Sequence, residues 1–365
     1  MNEYSDWKVA WHLDRVAELR ASGQTTPPHV QLILSDLCNH DCPWCAYRME
    51  GYSSNQHFGE ARPDGSMNHN PARFIPYAKA LEILDDCAAL GVRAVEFTGG
   101  GEPTVHPQHL QIFAHALDLG LRCALVSNGN LLRPGWEDLL PRFDWVRFSL
   151  DAGTAETYAR IRRVCESAFD RFQANARSLA GELARQSADT LFGISFIVLH
   201  ENWPEIVLAA DLARRLGAGS IRFGALFSPA LADYYDADLL ASIRALIEQA
   251  RHLNEGPGFR VIDLFDQRML DLEQGRPDYR TCLYQQMNVY IGGDLNVYRC
   301  CNTAYNDLGL VGSLKEQRFR EFWQSDAKRQ AYRRFDARAC QHCAFNGKNR
   351  LLNYLAGTPV HVEFA

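Results

Sequence analysis

The sequence predicts an α/β protein: a partial (β/α)6 TIM-like barrel over residues 30–224, followed by a C-terminal module of a β-hairpin and helices. Three observations predict it. Short apolar runs alternate with helical stretches across that span, the pattern of a parallel sheet covered by helices. Six such runs occur, too few for an eight-fold closed barrel, so the barrel is read as open. The polar and glycine-containing motifs fall where strands end, which is where parallel sheets place their ligand sites.

Residues 1–29 read as an N-terminal segment: a polar helix and tether, broken by Pro27-Pro28. Residues 30–34 are the first strand, and a cysteine loop follows at its end. The polar stretch 50–70 reads as an inserted loop. With its flanks, 47–73, it holds Tyr52, His57 and His69 and is expected to rim the site, as a lid or as a plain surface loop. Residues 77–90 are helical and Gly91 stops them; 94–98 are a strand ending in Gly99-Gly100-Gly101-Glu102-Pro103. Helix 107–119 ends at Gly120, strand 123–127 at Asn128-Gly129, and a short helix lies near 136–140. Strand 146–150 ends at Asp151; helices follow at 155–161 and 167–185, then strand 191–199, helix 204–216 and strand 221–223. A linker and an amphipathic helix, 238–253, occupy 225–280, with an extra strand expected near 259–265. In 281–365, alternation around Gly292-Gly293-Asp294 signals a hairpin, 319–335 a basic aromatic helix, and 349–355 a last helix.

Composition narrows the function. The 365 residues suffice for a sizeable core, and 47% hydrophobic with 22% charged is ordinary for a globular protein. A net charge of −6 gives no bulk attraction to nucleic acid or anionic membrane. The first residues have neither the basic start nor the apolar core of a signal peptide, and no apolar run is long enough to span a bilayer. A cytoplasmic location is the default expectation. Eleven cysteines without a signal peptide point to metal rather than disulfides. Cys87, Cys123 and Cys165 stand alone and read as small buried hydrophobes.

The most informative feature is the run Cys38-Asn-His-Asp-Cys42-Pro-Trp-Cys45. Three thiolates leave one iron of a four-iron cluster without a protein ligand, and an open iron can bind a substrate or cofactor. The competing reading is a zinc site completed by His40, which would leave the glycine motif without a purpose.

The loop Cys38-x-x-x-Cys42-x-Trp44-Cys45 after a first strand, with Gly99-Gly100-Gly101-Glu102-Pro103 after the second, resembles the radical S-adenosylmethionine (radical SAM) superfamily over about residues 30–224. The resemblance implies that Cys38, Cys42 and Cys45 hold a 4Fe-4S cluster whose fourth iron chelates S-adenosylmethionine. One electron then cleaves the sulfonium bond, and the 5′-deoxyadenosyl radical abstracts a substrate hydrogen. It further implies cofactor contacts from Trp44, from Gly99, Gly100, Gly101 and Glu102, and from the strand-end residues Ser127, Asn128, Ser149, Asp151, Asn202 and Phe223. Apart from the resemblance, Ser127, Asn128 and Asp151 read as turn and cap residues.

Cys282, Cys300, Cys340 and Cys343 form a second set, and 308–314 with Phe322-Trp323 resembles the C-terminal SPASM/Twitch modules of the same superfamily. The resemblance implies a second 4Fe-4S cluster, the cysteine count favours the shorter Twitch form, and the family pattern favours Cys300 over its neighbour Cys301. A four-cysteine zinc ribbon is the alternative. The expected reaction is hydrogen abstraction followed by oxidation or rearrangement of a small molecule or peptide, with a reductase such as flavodoxin or ferredoxin as electron donor. Nucleic acid is the less favoured substrate, because a basic run such as Lys328-Arg329, Arg333-Arg334 and Arg338 is more often a solvated helix face. A non-enzymatic iron–sulfur carrier is the remaining alternative.

Overall fold

The computed structural model describes residues 4–47, 74–227 and 233–358. Apart from Tyr47, the insertion 47–73 lies outside the described residues, as do 228–232 of the linker. Ten strands form one sheet: β1 (His29–Leu32), β2 (Ala94–Phe97), β3 (Arg122–Ser127), β4 (Trp145–Ser149), β5 (Leu191–Val198), β6 (Ser220–Ala225), β7 (Arg260–Asp263), β8 (Asn288–Ile291), β9 (Asn296–Tyr298) and β10 (Leu310–Ser313). Their order is β10-β9-β8-β1-β2-β3-β4-β5-β6-β7. β8 and β1 to β7 run parallel; β9 and β10 run antiparallel. Among the described residues no ladder joins β7 to β10, so the sheet is open.

Two parallel strands join the six expected of the barrel: β7 is the extra strand expected near 259–265, and β8 is the first strand of the expected hairpin. β7 pairs with β6, and β8 pairs with β1 from His29↔Asn288 to Leu32↔Ile291. The hairpin therefore extends the barrel sheet. All four β8 positions are buried, as a central parallel strand requires.

The period of two along the strands divides the sheet into two faces. Val30, Leu32, Phe97, Val146, Phe148, Phe196, Ile221 and Phe223 are buried against Ile83, Ile112, Phe172 and Ile206 of the flanking helices. Each such burial contributes about 1.5–3 kcal/mol. The other face carries Gln31, Glu96, Arg147, Ser149, Ser195 and Arg222, and it forms the lumen.

Caps set the helix limits. Tyr77–Leu90 ends at Gly91, whose φ of +80° suits glycine and whose N–H returns to Ala88 and Cys87 carbonyls. Thr154 caps Ala155–Arg162 by accepting from Thr157 N, and Asp236 caps Ala237–Asn254 by accepting from Leu239 N. The basic helix expected at 319–335 is two helices, Phe319–Gln324 and Asp326–Arg334. Ser325 breaks it by turning extended and accepting from Lys328 N. Arg333, Arg334 and Arg338 are exposed, as a solvated face requires; Lys328, 1% exposed, is the exception, and Arg329 pairs with Asp326 at 2.6 Å. No helix among the described residues is long and apolar enough to cross a membrane.

Candidate active site

The cysteine loop leaves the C-terminal end of β1. Cys45 N donates to Cys42 O at 3.1 Å and His40 N to Cys38 Sγ at 3.4 Å. Burial pushes the Cys42 thiol up, Arg162 opposes this, and the neighbouring Cys45 and Cys38 add to the rise. Three neighbouring sulfurs, of which the buried Cys42 resists ionising on its own, suit a positive metal group that would take them as thiolates. His40 is occupied elsewhere: its Nδ1 lies 3.2 Å from Arg162 Nη1, its ring meets Tyr158 edge-on, and burial and Arg162 lower its pKa to about 3. Trp44 is fixed by a bond from Nε1 to Ile161 O at 3.0 Å.

The glycine motif forms the seat of this loop. Gly101 N donates to Ser35 O at 3.0 Å and Glu102 N to Leu37 O at 2.9 Å. A Cβ on Gly101 would stand 2.2 Å from Leu37 O, and one on Gly99 2.2 Å from Gly101 O, so neither position admits a side chain. Gly100 lies buried between them. The Glu102 carboxylate accepts from Thr104 N and Oγ1, Ser127 Oγ and Asn128 N at 2.7–3.1 Å. Asn128 in turn donates to Asn39 Oδ1 at 2.6 Å and approaches Cys38 Sγ at 3.9 Å. Glu102 and Ser127 thus spend their polar atoms on one another, and Asn128 is the one of the three that reaches the loop.

Asp151 ends β4 with a φ of +56°, a conformation asparagine and aspartate tolerate better than most residues. Its carboxylate pairs with Arg162 and accepts from Ile197 N at 2.7 Å. The side chains of this pair are 1% and 3% exposed. Arg162 also donates to Ser149 O at 2.6 Å and lies 5.9 Å from the Trp44 ring centre. Asn202 is fully buried; it donates to Asp151 O and Ile197 O and accepts from Leu199 N, which holds Asp151 from behind. Phe223 lies on the helix-facing side of β6, its ring 5.4 Å from Phe196. Ser149 faces the lumen, 3.3 Å from Ser195 Oγ. Sequence reasoning places Ser149, Asp151, Asn202 and Phe223 at strand ends but does not show which face each one takes.

Among the C-terminal cysteines, burial and then Cys343 and Cys300 push Cys282 up to about 12. Cys340 is raised by burial and by Cys300, Cys282 and Cys343. Cys343 accepts from Tyr279 OH at 3.6 Å and Phe345 N at 3.4 Å. Cys282, Cys300, Cys340 and Cys343 therefore form one mutually repelling group. Cys301 lines a cavity instead. No three metal-ligating groups among the described residues stand close enough to share a single ion. Of the lone cysteines, Cys87 and Cys123 are buried as expected, whereas Cys165 is exposed at the start of a helix, 3.0 Å from Ser167 Oγ.

The cavity, of about 680 Å³, lies in the lumen toward the N-terminal ends of the strands. Gln31, Glu96, Arg147, Arg222, Tyr284 and Cys301 are among its walls. For Gln31, Glu96, Arg147 and Arg222 the sequence signal is a polar residue at alternate positions of otherwise apolar strands.

A model of the Radical SAM superfamily matches residues 32–213, and a model of an iron-sulfur cluster-binding domain, SPASM, matches residues 282–344. The AdoMet-dependent heme synthase of Methanosarcina barkeri (strain Fusaro / DSM 804) is 33% identical over 150 residues, 40% of this chain and 41% of that protein. The PqqA peptide cyclase of Gluconobacter oxydans (strain 621H) is 26% identical over 204 residues, 54% of this chain and 49% of that protein. The matches thus span about half, or less, of these relatives. Among solved structures, Streptococcus suis SuiB bound to precursor peptide SuiA superposes with a TM-score of 0.60 at 15% identity, covering 88% of this chain and 70% of that one. Native anSMEcpe with bound AdoMet superposes with a TM-score of 0.54 at 18% identity, covering 84% and 83%. At these identities the superpositions show a shared fold.

Proposed function

Because the chain belongs to the radical SAM superfamily and carries a SPASM domain, we propose that Cys38, Cys42 and Cys45 hold a 4Fe-4S cluster whose open iron takes S-adenosylmethionine. When bound, cluster and cofactor supply one-electron cleavage of a sulfonium bond and a carbon radical that removes a hydrogen atom from a substrate. The observation that carries this reading is the three-cysteine loop seated on the glycine motif through Gly101 and Glu102. Asn128 holds Asn39 and the Cys38 sulfur, and Arg162 supplies a buried cation beneath a cluster of thiolates. Trp44, locked by Ile161, closes one side. Ser149 is the strand-end hydroxyl that faces the lumen and suits a ribose.

Cys282, Cys300, Cys340 and Cys343 are the ligands of a second 4Fe-4S cluster on this reading, with no iron left open. A cluster held by these four cysteines would supply electron exchange with the substrate or with a reductase such as flavodoxin or ferredoxin. The similarity to a heme synthase and a peptide cyclase supports a small molecule or peptide as substrate over a nucleic-acid strand.

The test is anaerobic reconstitution with iron and sulfide, then reduction by dithionite with S-adenosylmethionine. The wild type is expected to form 5′-deoxyadenosine and to carry two reducible clusters. The Cys38/Cys42/Cys45→Ala variant is expected to form none and to keep one cluster. Cofactor cleavage retained in that variant overturns the assignment; a variant without iron overturns the second cluster.

A further inference from the structure

We propose that the lumen binds a substrate oxyanion, a carboxylate or a phosphate, between the guanidinium groups of Arg147 and Arg222. Calling the ligand the substrate rests on the function proposed above; the anion site itself does not.

Arg147 on β4 and Arg222 on β6 flank β5 on the lumen face, where Arg147 pairs with Gly193 and Arg222 with Ser195. Gly193 contributes no side chain beside Arg147, and Ser220 Oγ stands 3.0 Å from where its Cβ would lie. Neither guanidinium makes a hydrogen bond or ion pair with any described residue, and Arg147 Nε is buried without a partner. Aromatic rings lie against both: Trp145 at 4.8 Å from Arg147 and Tyr4 at 5.4 Å from Arg222. Ring contacts orient a guanidinium plane but do not neutralise its charge.

The other lumen charges do not complete the pair. Glu96 is held by His29 Nε2 at 3.4 Å and Gln31 Nε2 at 3.3 Å; its charge attracts both Arg147 and Arg222 from a distance, without an ion pair to either. Arg268, a third guanidinium at the wall, is taken by Asp271 at 2.9 Å. Burial and then repulsion from Arg147 lower Arg222 to about 9, a penalty that a bound anion relieves. Unpaired charge inside a protein is costly and concentrates where a ligand pairs it. Two planar guanidinium forks on the walls of one cavity match the oxygens of a carboxylate or phosphate.

From this site, near the N-terminal ends of the strands, the lumen leads toward the cysteine loop. Ser149 is two residues beyond Arg147, Ser195 pairs directly with both Ser149 and Arg222, and the Ser149 carbonyl accepts from Arg162 beneath the cysteine loop. An anion held by the arginines places the rest of the molecule along that path.

The experiment is titration calorimetry of the reconstituted wild type with glutarate, its neutral isostere glutaramide, and inorganic phosphate. Glutarate is expected to bind at least about ten-fold more tightly than glutaramide. Arg147→Gln and Arg222→Gln are each expected to weaken glutarate about ten-fold, and Arg→Lys at either position to weaken it less. Phosphate tighter than glutarate assigns a phosphate ester; the reverse assigns a carboxylate. Equal affinity for glutarate and glutaramide, no binding of either anion, or unchanged affinity in both Gln variants overturns the proposal. The wild-type comparison needs no variant, so a misfolded mutant does not decide the result. Anion binding by a preparation that forms no 5′-deoxyadenosine leaves this site standing and removes the radical reading alone.

Discussion

The Glu102 carboxylate accepts four hydrogen bonds that tie the turn after β2 to the turn after β3. Glu102→Ala leaves Asn128 N and two hydroxyls unpaired in a buried place, an expected loss of about 3 kcal/mol in chemical denaturation. Because Asn128 then loses its anchor, the iron bound at the first site is expected to fall as well; full iron with lowered stability confines Glu102 to the fold. Gly101→Ala drives a methyl group into Leu37 O, with an expected cost of about 3 kcal/mol and loss of most first-site iron, read by denaturation and iron assay. At this scale the thiols and glycines were legible because both are unusual at their spacing. The arginines of the lumen were not, since one polar residue in a strand looks the same whether it faces solvent or an enclosed cavity. Nor does any local pattern show that Asn202 and Phe223 spend their side chains in the core.

Asp151 and Arg162 join the end of β4 to the helix Ala155–Arg162. Asp151→Asn leaves the guanidinium buried and uncompensated, an expected loss of about 3–5 kcal/mol in denaturation. A variant with unchanged stability and weaker S-adenosylmethionine binding instead assigns Asp151 to the cofactor. On the helix Asp326–Arg334, Lys328 Nζ donates to Gln24 Oε1 at 2.9 Å and Gln286 Oε1 at 3.1 Å, and burial, aided by Arg329, lowers its pKa to about 7. Below that pH the ammonium is charged in both states and burial opposes folding in full. From about pH 7 to its ordinary 10.5 the unfolded chain binds the proton and the folded one does not, so stability rises with pH. Lys328→Met is expected to flatten that rise, measured as the difference from wild type in urea melts across the window; an unchanged slope refutes the assignment. Elements punctuated by glycine, such as the helix ending at Gly91, were readable from the chain. The helix Phe265–Gln274 was hidden because Val261, Ile262, Leu264 and Phe265 read as one strand although Asp263 among them accepts from Phe265 N and caps the helix, and β10 because it is four residues long with a glycine and a bulge.

The barrel and the SPASM domain share one sheet through the β1–β8 ladder. Further bonds cross the same junction: Arg318 to Asp86 at 2.7 Å, Trp323 Nε1 to Thr25 O at 3.0 Å, and Tyr305 to Asp36, two residues before Cys38. A chain ending at residue 280 loses β8, bares one edge of β1 and uncovers Ile33, which packs with Tyr290, Tyr298 and Tyr305. It is expected to aggregate or melt without a cooperative transition, by size-exclusion chromatography and calorimetry; a soluble, cooperatively melting fragment shows the barrel to be independent. That two modules were present was legible from the two groups of cysteines. That they are one sheet was not, because no local pattern names a strand's partner. Gln31 and Asn288, on the paired strands, are 257 positions apart. On the ribosome, then, β1 waits for some 257 further positions to be made before its outer neighbour exists. The strand that leads into the first cysteines is open on that side until then, so on the function proposed above a metal group at Cys38, Cys42 and Cys45 is expected to be inserted only after β8 has emerged.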